Sequence, residues 1–382
     1  MSHTAALTDA AKVVREALAD ASRGLVDREA LLELIALATV AREHVLVVGP
    51  PGTAKSEAVR RVAQATSGKY FEYLLGRFTE PSEIFGPVDL RKLKAGVVET
   101  ETTGMLPEAE IAFLDEVFLG STAILNTLLG LLNERVFRRG HTRVDCPLRV
   151  CVGATNHLPD DEQLAAFADR FLVRVYLDPI PDERLEELLE GGWTLASTKP
   201  AARASLVQLD LLAEAARRAD MTTVRPQLAQ AVRLLRRAGI SLSDRRVVKV
   251  QQLVAAAGVL AGRAAPSEAD LWPIVTAVPT REAQALARDV LRDLLARTDN
   301  AALSVAAAET SLGPLARARQ VEEAARALFE AKPSSDDRQA TEAWRLRLEG
   351  IARTIDAGFA ADALPESLGA LRARVVELLG AP

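Results

Sequence analysis

The sequence predicts an α/β fold: a parallel, helix-covered sheet in the first half of the chain, followed by an all-helical second half. Two observations carry that expectation. Five short apolar runs alternate with helix-like stretches up to Tyr176, the pattern of strands joined by crossover helices. From about residue 204 onward, apolar residues recur at helical spacing, as in Leu206, Leu209, Leu212 and in Leu228, Val232, Leu235. Composition agrees: aromatics are only 4% of 382 residues, while Ala and Leu dominate and favour helices. A chain of this length buries a sizeable core and divides into two or three domains.

Taken in order, residues 5 to 40 read as two amphipathic helices, with Asp27 a candidate cap for the second. The strand candidates are Val45 to Val48, Tyr70 to Leu75, Ile111 to Leu114, Leu148 to Ala154 and Phe171 to Tyr176. Asp178-Pro179-Ile180-Pro181 breaks this alternation, and Gly191-Gly192 is expected to follow a short helix. The final segment, 281 to 382, reads as amphipathic helices separated at Thr298-Asp299-Asn300 and Pro333-Ser334-Ser335-Asp336-Asp337. Its apolar residues read as the core of a bundle. There is no internal repeat and no long low-complexity tract.

The chemistry is concentrated in two places. Gly49-Pro50-Pro51-Gly52-Thr53-Ala54-Lys55-Ser56 follows the first strand candidate and leads into a helix-like stretch from Glu57 to Ala65. A Gly-rich turn between a buried strand and a helix start presents backbone NH groups and a helix N-terminus to an anion. These eight residues, with Glu57 in the first turn, form the expected ATP cradle. Lys55 is placed to reach the β- and γ-phosphates and Ser56 to ligate Mg²⁺. The strict pattern wants Gly where Ala54 stands. Ile111-Ala112-Phe113-Leu114-Asp115-Glu116 supplies the second place, with two carboxylates at a strand's C-terminal end. Asp115 is expected to hold the Mg²⁺ shell and Glu116 to orient and polarise the attacking water.

The stretch LPEAEIAFLDEVFLGSTAILNTLLGLLNERVFRRG, together with GPPGTAKS and FTEPSEIFGPVDL, resembles the MoxR branch of AAA+ ATPases, and within it the RavA group. The likeness runs from about residue 20 to about residue 275, and the branch shares the GPPGxAKS turn, so Ala54 departs from the general motif only. The resemblance implies an AAA+ P-loop core with sheet order 5-1-4-3-2, an all-α lid and further C-terminal helices. It places the domains at 1–192, 193–280 and 281–382. It implies that Asn156, after the fourth strand, acts as sensor 1, since an amide donates to phosphate and accepts from water at once. Without the family, an Asn there reads as a turn residue. Arg170, in Phe167-Ala168-Asp169-Arg170-Phe171, matches the arginine finger that reaches a neighbouring subunit's γ-phosphate. Arg245 matches sensor 2, contacting the nucleotide of its own subunit from the lid, with the adjacent Arg246 the alternative, on a helix capped by Ser243 or Asp244. Leu93 to Gly104, β-prone at its centre, resembles the helix 2 insert.

The implied function is a hydrolysing ring, a hexamer, that remodels or matures a partner protein; the implied partner carries a von Willebrand factor A domain. RavA proteins also insert a small domain that has no clear counterpart here. Two other readings stand beside this one. Arg135, Arg138, Arg139 and Arg143 flank a hairpin-like turn, either a solvated rim or a basic pore lip that would suit a nucleic-acid motor. A net charge of −5 and the lone aromatic Phe137 in that turn argue against nucleic acid. The third reading is a nucleotide-gated scaffold with little turnover. Cys146 and Cys151 read as buried, reduced thiols, His141 as a solvated loop residue. The N-terminus lacks a signal-peptide plan, and the most apolar helical stretch, Leu31 to Val40, contains Glu33 and is too short to span a bilayer. The expected location is cytoplasmic.

Overall fold

The computed structural model describes residues 3–159, 161–197, 200, 204–312, 321–322, 324–326, 328–333, 338–358 and 366–380. Helices α1 (His3–Ser22) and α2 (Glu29–Ala41) lead into β1 (Val45–Val48), α3 (Lys55–Ala65), β2 (Tyr70–Leu74), α4 (Pro81–Phe85) and α5 (Leu90–Lys94). Then follow β3 (Ile111–Asp115), α6 (Thr122–Glu134), β4 (Val136–Arg139), β5 (Thr142–Asp145), β6 (Val150–Thr155), α7 (Glu162–Ala168) and β7 (Val173–Tyr176). The remainder is helical: α8 (Leu185–Ser197), α9 (Leu206–Arg218), α10 (Arg225–Arg237), α11 (Asp244–Leu260), α12 (Pro273–Thr276) and α13 (Arg281–Val290). Then follow α14 (Arg292–Leu295), α15 (Ser304–Leu312), α16 (Arg338–Gly358) and α17 (Glu366–Gly380), and the described residues between 321 and 330 are also helical.

The five main strands form one sheet in the order β2-β3-β6-β1-β7, and every pairing is parallel. Numbering those strands one to five, this is the expected 5-1-4-3-2. A parallel sheet is covered on both faces, so its central strands are apolar without a break. Along β1, Val45 and Val47 enter the core shared with α1, α2 and α3, while Leu46 enters the core shared with α6. β6 is buried at all six positions. The free edge of β7 is covered as well: Tyr176 Oη donates to Pro279 O (2.5 Å) and Gln284 Nε2 to Arg174 O (3.2 Å). Capping an edge strand in this way removes a template for unwanted pairing.

Three local expectations are corrected. Asp27 does not cap α2; it takes a left-handed φ of 57°, and Arg28 occupies the N-cap position without a side-chain cap bond. Gly191-Gly192 does not end a helix, because α8 runs through both. A Cβ at Gly191 would stand 2.6 Å from Gly24 O, so glycine there lets α8 approach the turn after α1. The β-prone centre of 93–104 forms no strand. Asp89 caps α5 by accepting from Arg91 N (2.8 Å) and Lys92 N (3.3 Å), Gly96 turns the chain back at φ 80°, and the two arms are joined by the isolated Val88–Thr100 bridge and a Lys92–Glu99 ion pair. This insert rests on the antiparallel β4–β5 hairpin through His141 N donating to Val98 O (3.1 Å) and Thr100 N donating to Thr142 Oγ1 (2.7 Å). The break expected at 333–337 lies, apart from Pro333, outside the described residues.

Ser243 caps α11, accepting from Arg246 N. Both cysteines are free and buried, and burial pushes their thiols up, to about 11 at Cys146 and about 12 at Cys151. They therefore stay protonated near neutrality. Among the described residues no helix is long and apolar enough to cross a membrane.

One partly buried carboxyl ties the C-terminal helices to the core. Glu33 on α2 accepts from Ala306 N (2.7 Å) in the first turn of α15, and burial pushes its pKa up to about 8. A carboxyl whose folded-state pKa is raised holds its proton more tightly in the folded chain. Its contribution is complete below the ordinary value of 4.5 and is lost as pH rises through about 8. Thermal melts across that window should show the wild type losing stability with rising pH and Glu33→Gln losing less, with the variant the more stable of the two at the alkaline end. Parallel curves would refute this placement of the proton.

Candidate active site

β1 delivers the phosphate-loop sequence to the C-terminal edge of the sheet, the edge where open α/β folds bind ligands. Gly49 N donates to Thr155 O (3.1 Å), fastening the loop's start to β6. A Cβ at Gly49 would stand 2.7 Å from Leu177 O, so this position must be glycine for the chain to pass β7's end. Pro50, Pro51 and Gly52 form an exposed tip, with Gly52 at φ 80°. Thr53 is buried, its Oγ1 donating to Pro50 O (2.9 Å). Ala54 adopts φ 59°, ψ 27° immediately before α3. That is the left-handed conformation for which the strict motif keeps glycine. The loop geometry is thus retained with an L-residue under strain.

Lys55 is 7% exposed, and its Nζ donates to Gly49 O (2.7 Å) and Pro50 O (3.0 Å). Burial lowers its pKa, while Asp115 and Glu116 oppose that shift. The three charged groups therefore share one field. Ser56 is partly buried in the first turn of α3. Glu57 has its carboxylate paired with Arg60 (2.6 Å), so its side chain is committed along the helix rather than to the loop.

Asp115 ends β3 and accepts from the Glu116 amide through Oδ1 (3.0 Å). Glu116 itself sits at φ 48°, ψ 47°. A non-glycine residue held there carries backbone strain of the kind concentrated at functional sites. The turn aims its carboxylate at Asn156, just beyond β6, whose Nδ2 donates to Glu116 Oε1 (2.6 Å). β3, β6 and β1 are neighbours in the sheet, so Lys55, Ser56, Asp115, Glu116 and Asn156 project from adjacent strand ends. Among the described residues no three His, Cys, Asp or Glu side chains are grouped to hold a metal alone. Ser56 and Asp115 fit Mg²⁺ only if phosphate oxygens and water complete its octahedral shell.

Sequence reasoning missed Arg28. This side chain is 4% exposed; its Nε donates to Thr53 O (2.9 Å) and its Nη2 to Asp178 O (2.9 Å). It therefore ties the phosphate loop to the segment after β7. Its position offered one signal: a cation at a helix N-terminus is electrostatically disfavoured unless it serves another purpose.

The two remaining candidates lie elsewhere. Arg170 precedes β7, at the N-terminal edge of the sheet, and is partly buried. Arg245 hydrogen-bonds Asn133 Oδ1 at the end of α6. The start of α11 is fixed to that same edge, since Arg246 donates to Phe171 O (2.8 Å) and Leu172 O (3.0 Å), and Lys249 pairs with Glu43 just before β1. A four-residue strand spans about 13 Å. Within one chain, then, neither is brought to Lys55: this agrees with the expectation for Arg170 and corrects the one that Arg245 contacts the nucleotide of its own subunit. Arg246 is 1% exposed and bonded throughout, which removes it as a direct nucleotide ligand in this arrangement.

The hairpin arginines divide: Arg138 and Arg143 are cross-strand neighbours and exposed, while Arg135 and Arg139 bond back to the fold. Arg135 turns inward to Leu132 O (3.0 Å) and Arg42 O (2.9 Å), Arg138 pairs with Glu134 (3.1 Å), and Arg139 donates to Gly86 O (3.3 Å). Arg143 and His141 are exposed.

Residues 12–215 match the bpMoxR family, the MoxR domain in MoxR-vWA-beta-propeller ternary systems. An uncharacterized protein of Methanocaldococcus jannaschii is 35% identical over 248 residues, 64% of this chain and 66% of that protein. Chaperone MoxR1 of Mycobacterium tuberculosis is 26% identical over 204 residues, 52% of each chain. This chain thus spans just under two thirds of the first relative's length and about half of the second's. The crystal structure of a candidate ATPase from Cytophaga hutchinsonii superimposes with a TM-score of 0.61, covering 77% of this chain and 97% of that one at 15% identity, a likeness of fold alone.

The strain at Ala54 is testable. An L-residue in the left-handed region costs about 1–2 kcal/mol, and glycine's extra unfolded-state freedom takes back about 0.4–1 kcal/mol. Ala54→Gly should therefore raise unfolding stability by roughly 0.5–1 kcal/mol in urea titration and leave ATP binding intact. Destabilisation would mean that the loop does not hold this conformation.

Proposed function

The chain belongs to the MoxR family of AAA+ ATPases, and we propose that it hydrolyses Mg-ATP as a ring-forming, chaperone-like motor that remodels or matures a partner protein. One observation supports the chemistry most: the hydrogen bond between Asn156 and Glu116 at the edge that also carries Lys55 and Asp115. In this reading Lys55 exchanges its two loop carbonyls for the β- and γ-phosphates. The loop amides from Gly49 to Ser56 bind the phosphate chain. Ser56 and Asp115 hold Mg²⁺, which when bound neutralises phosphate charge. Glu116 orients and polarises the water, and the Asn156 amide keeps that carboxylate aimed, releasing it as the γ-phosphate offers a second acceptor.

Arg170 and Arg245 complete the site from a neighbouring subunit. Both lie at the N-terminal edge, about a strand length from their own phosphate loop, so a nucleotide contact by either is most simply made across an interface. A guanidinium supplied in trans stabilises the charge that develops in phosphoryl transfer. We propose a nucleotide-binding core, a lid and a C-terminal helical region from 281 to 382, with six subunits in the ring; the core–lid boundary expected at 192/193 falls inside α8, so we place it after that helix. The family's association with vWA proteins favours a partner bearing a von Willebrand factor A domain; the finer placement in the RavA group rests on the sequence motifs alone. Three of the four hairpin arginines are engaged in local bonds and Arg143 is exposed, which weighs against a continuous basic surface for nucleic acid.

Two substitutions test this. Glu116→Gln should bind ATP with near-normal affinity while turnover falls by about 10²–10⁴-fold. Arg170→Ala should also bind ATP and lose about 10³–10⁵-fold. Wild-type turnover in the first variant would remove Glu116 from the chemistry, and a harmless Arg170→Ala would leave the finger unassigned.

A further inference from the structure

Arg246 is buried, and three of its four side-chain hydrogen bonds go to the residues flanking Arg170. Nε donates to Asp169 Oδ1 (2.5 Å), Nη2 to Phe171 O (2.8 Å), and Nη1 to Leu172 O (3.0 Å) and Ala277 O (2.6 Å). Ser243, which caps α11, donates to the other Asp169 oxygen (3.4 Å). On the far side of Arg170, Ala168 O accepts from Nη2 of Arg174, itself 4% exposed. Residues 168, 169, 171 and 172 are thus each held by a side chain, and two of the holding residues, Ser243 and Arg246, belong to the start of α11. A planar guanidinium that serves one carboxylate and three carbonyls in a buried site tolerates little displacement of any of them.

We propose that Arg246 is a positioning residue that locks the start of α11 to the Asp169–Leu172 segment, so that movement of the α11 helix moves Arg170. The proposal rests on the reading of Arg170 as a finger acting on the neighbouring subunit. In that setting α11 belongs to the nucleotide-responsive helical half, and the clamp carries the response of one subunit into the active site of the next. Coupling between sites requires a physical element that both sites bias, and a shared rigid clamp supplies one. It also gives the two adjacent arginines different tasks: Arg245 faces outward and Arg246 faces the fold.

Arg246→Lys keeps the charge but loses the fork that spans four acceptors. Turnover should fall by about 10²-fold, the effect of misplacing a catalytic group by about 1 Å, with ATP affinity unchanged. The decisive readout is mixing of full-length subunits. An Arg246→Lys subunit keeps an intact nucleotide site and a misplaced finger, whereas a Glu116→Gln subunit keeps a working finger and a dead site. Mixed rings should therefore turn over faster than the two variants measured separately. Arg170→Ala mixed with Glu116→Gln is the control for the shared site. Rescue in both mixtures supports the clamp. Rescue in the control alone overturns the clamp and leaves the ring reading standing. Rescue in neither removes the shared site, and the clamp with it. Should Arg246→Lys fail to fold, Asp169→Asn loosens the same contact and is read in the same way.

Discussion

The structure depends on one constraint: β1 must run buried and parallel between β6 and β7, and then turn without a side chain at Gly49. Burial of Val45, Leu46 and Val47 fixes the strand, and the register with β6 sets Thr155 O where Gly49 N can reach it. Everything beyond is a loop whose amides must stay turned outward. Internal ties hold it in that shape: Thr53 Oγ1 and Lys55 Nζ bond to carbonyls of the same loop, and Arg28 draws Thr53 O toward the segment after β7. A loop held by its carbonyls leaves its NH groups directed to an anion, which is the physical basis of phosphate binding at such turns.

Parallel topology also divides the molecule's chemistry between two edges. The C-terminal edge gathers Lys55, Asp115, Glu116 and Asn156 from three adjacent strands. The N-terminal edge carries Arg170 and Arg245, with the buried Arg246 network between them. Groups of complementary charge on opposite edges of one sheet meet most readily when copies of the chain stand side by side. Repetition of such a heterologous contact closes into a ring when the rotation between subunits permits.

The sheet was legible because a covered parallel strand is apolar throughout and bounded by turn residues, as Val45–Val48 and Ile111–Asp115 are. The phosphate loop and the Asp115-Glu116 pair were legible because each is contiguous in sequence. Asn156 was placed near the nucleotide only by a family's strand order, and its hydrogen bond to Glu116, 40 positions away, was not expected from the sequence. Arg28 was hidden for the same reason: its partners Thr53 and Asp178 are 25 and 150 positions away. Arg245 and Arg246 were inseparable in sequence because the helix rotates about 100° per residue. Only the packing of α11 decides which of them is buried. Gly191 looked like a helix end, and its purpose became visible only in the approach of α8 to Gly24.

In the proposed assembly, each active site is completed by a second copy of the chain. The most direct test is Mg-ATP turnover per subunit measured as a function of protein concentration. The shared-site account predicts a specific activity that climbs steeply with concentration and levels off as subunits assemble. A specific activity that stays constant under dilution to the point where the protein is monomeric by light scattering would contradict it and leave a self-contained site.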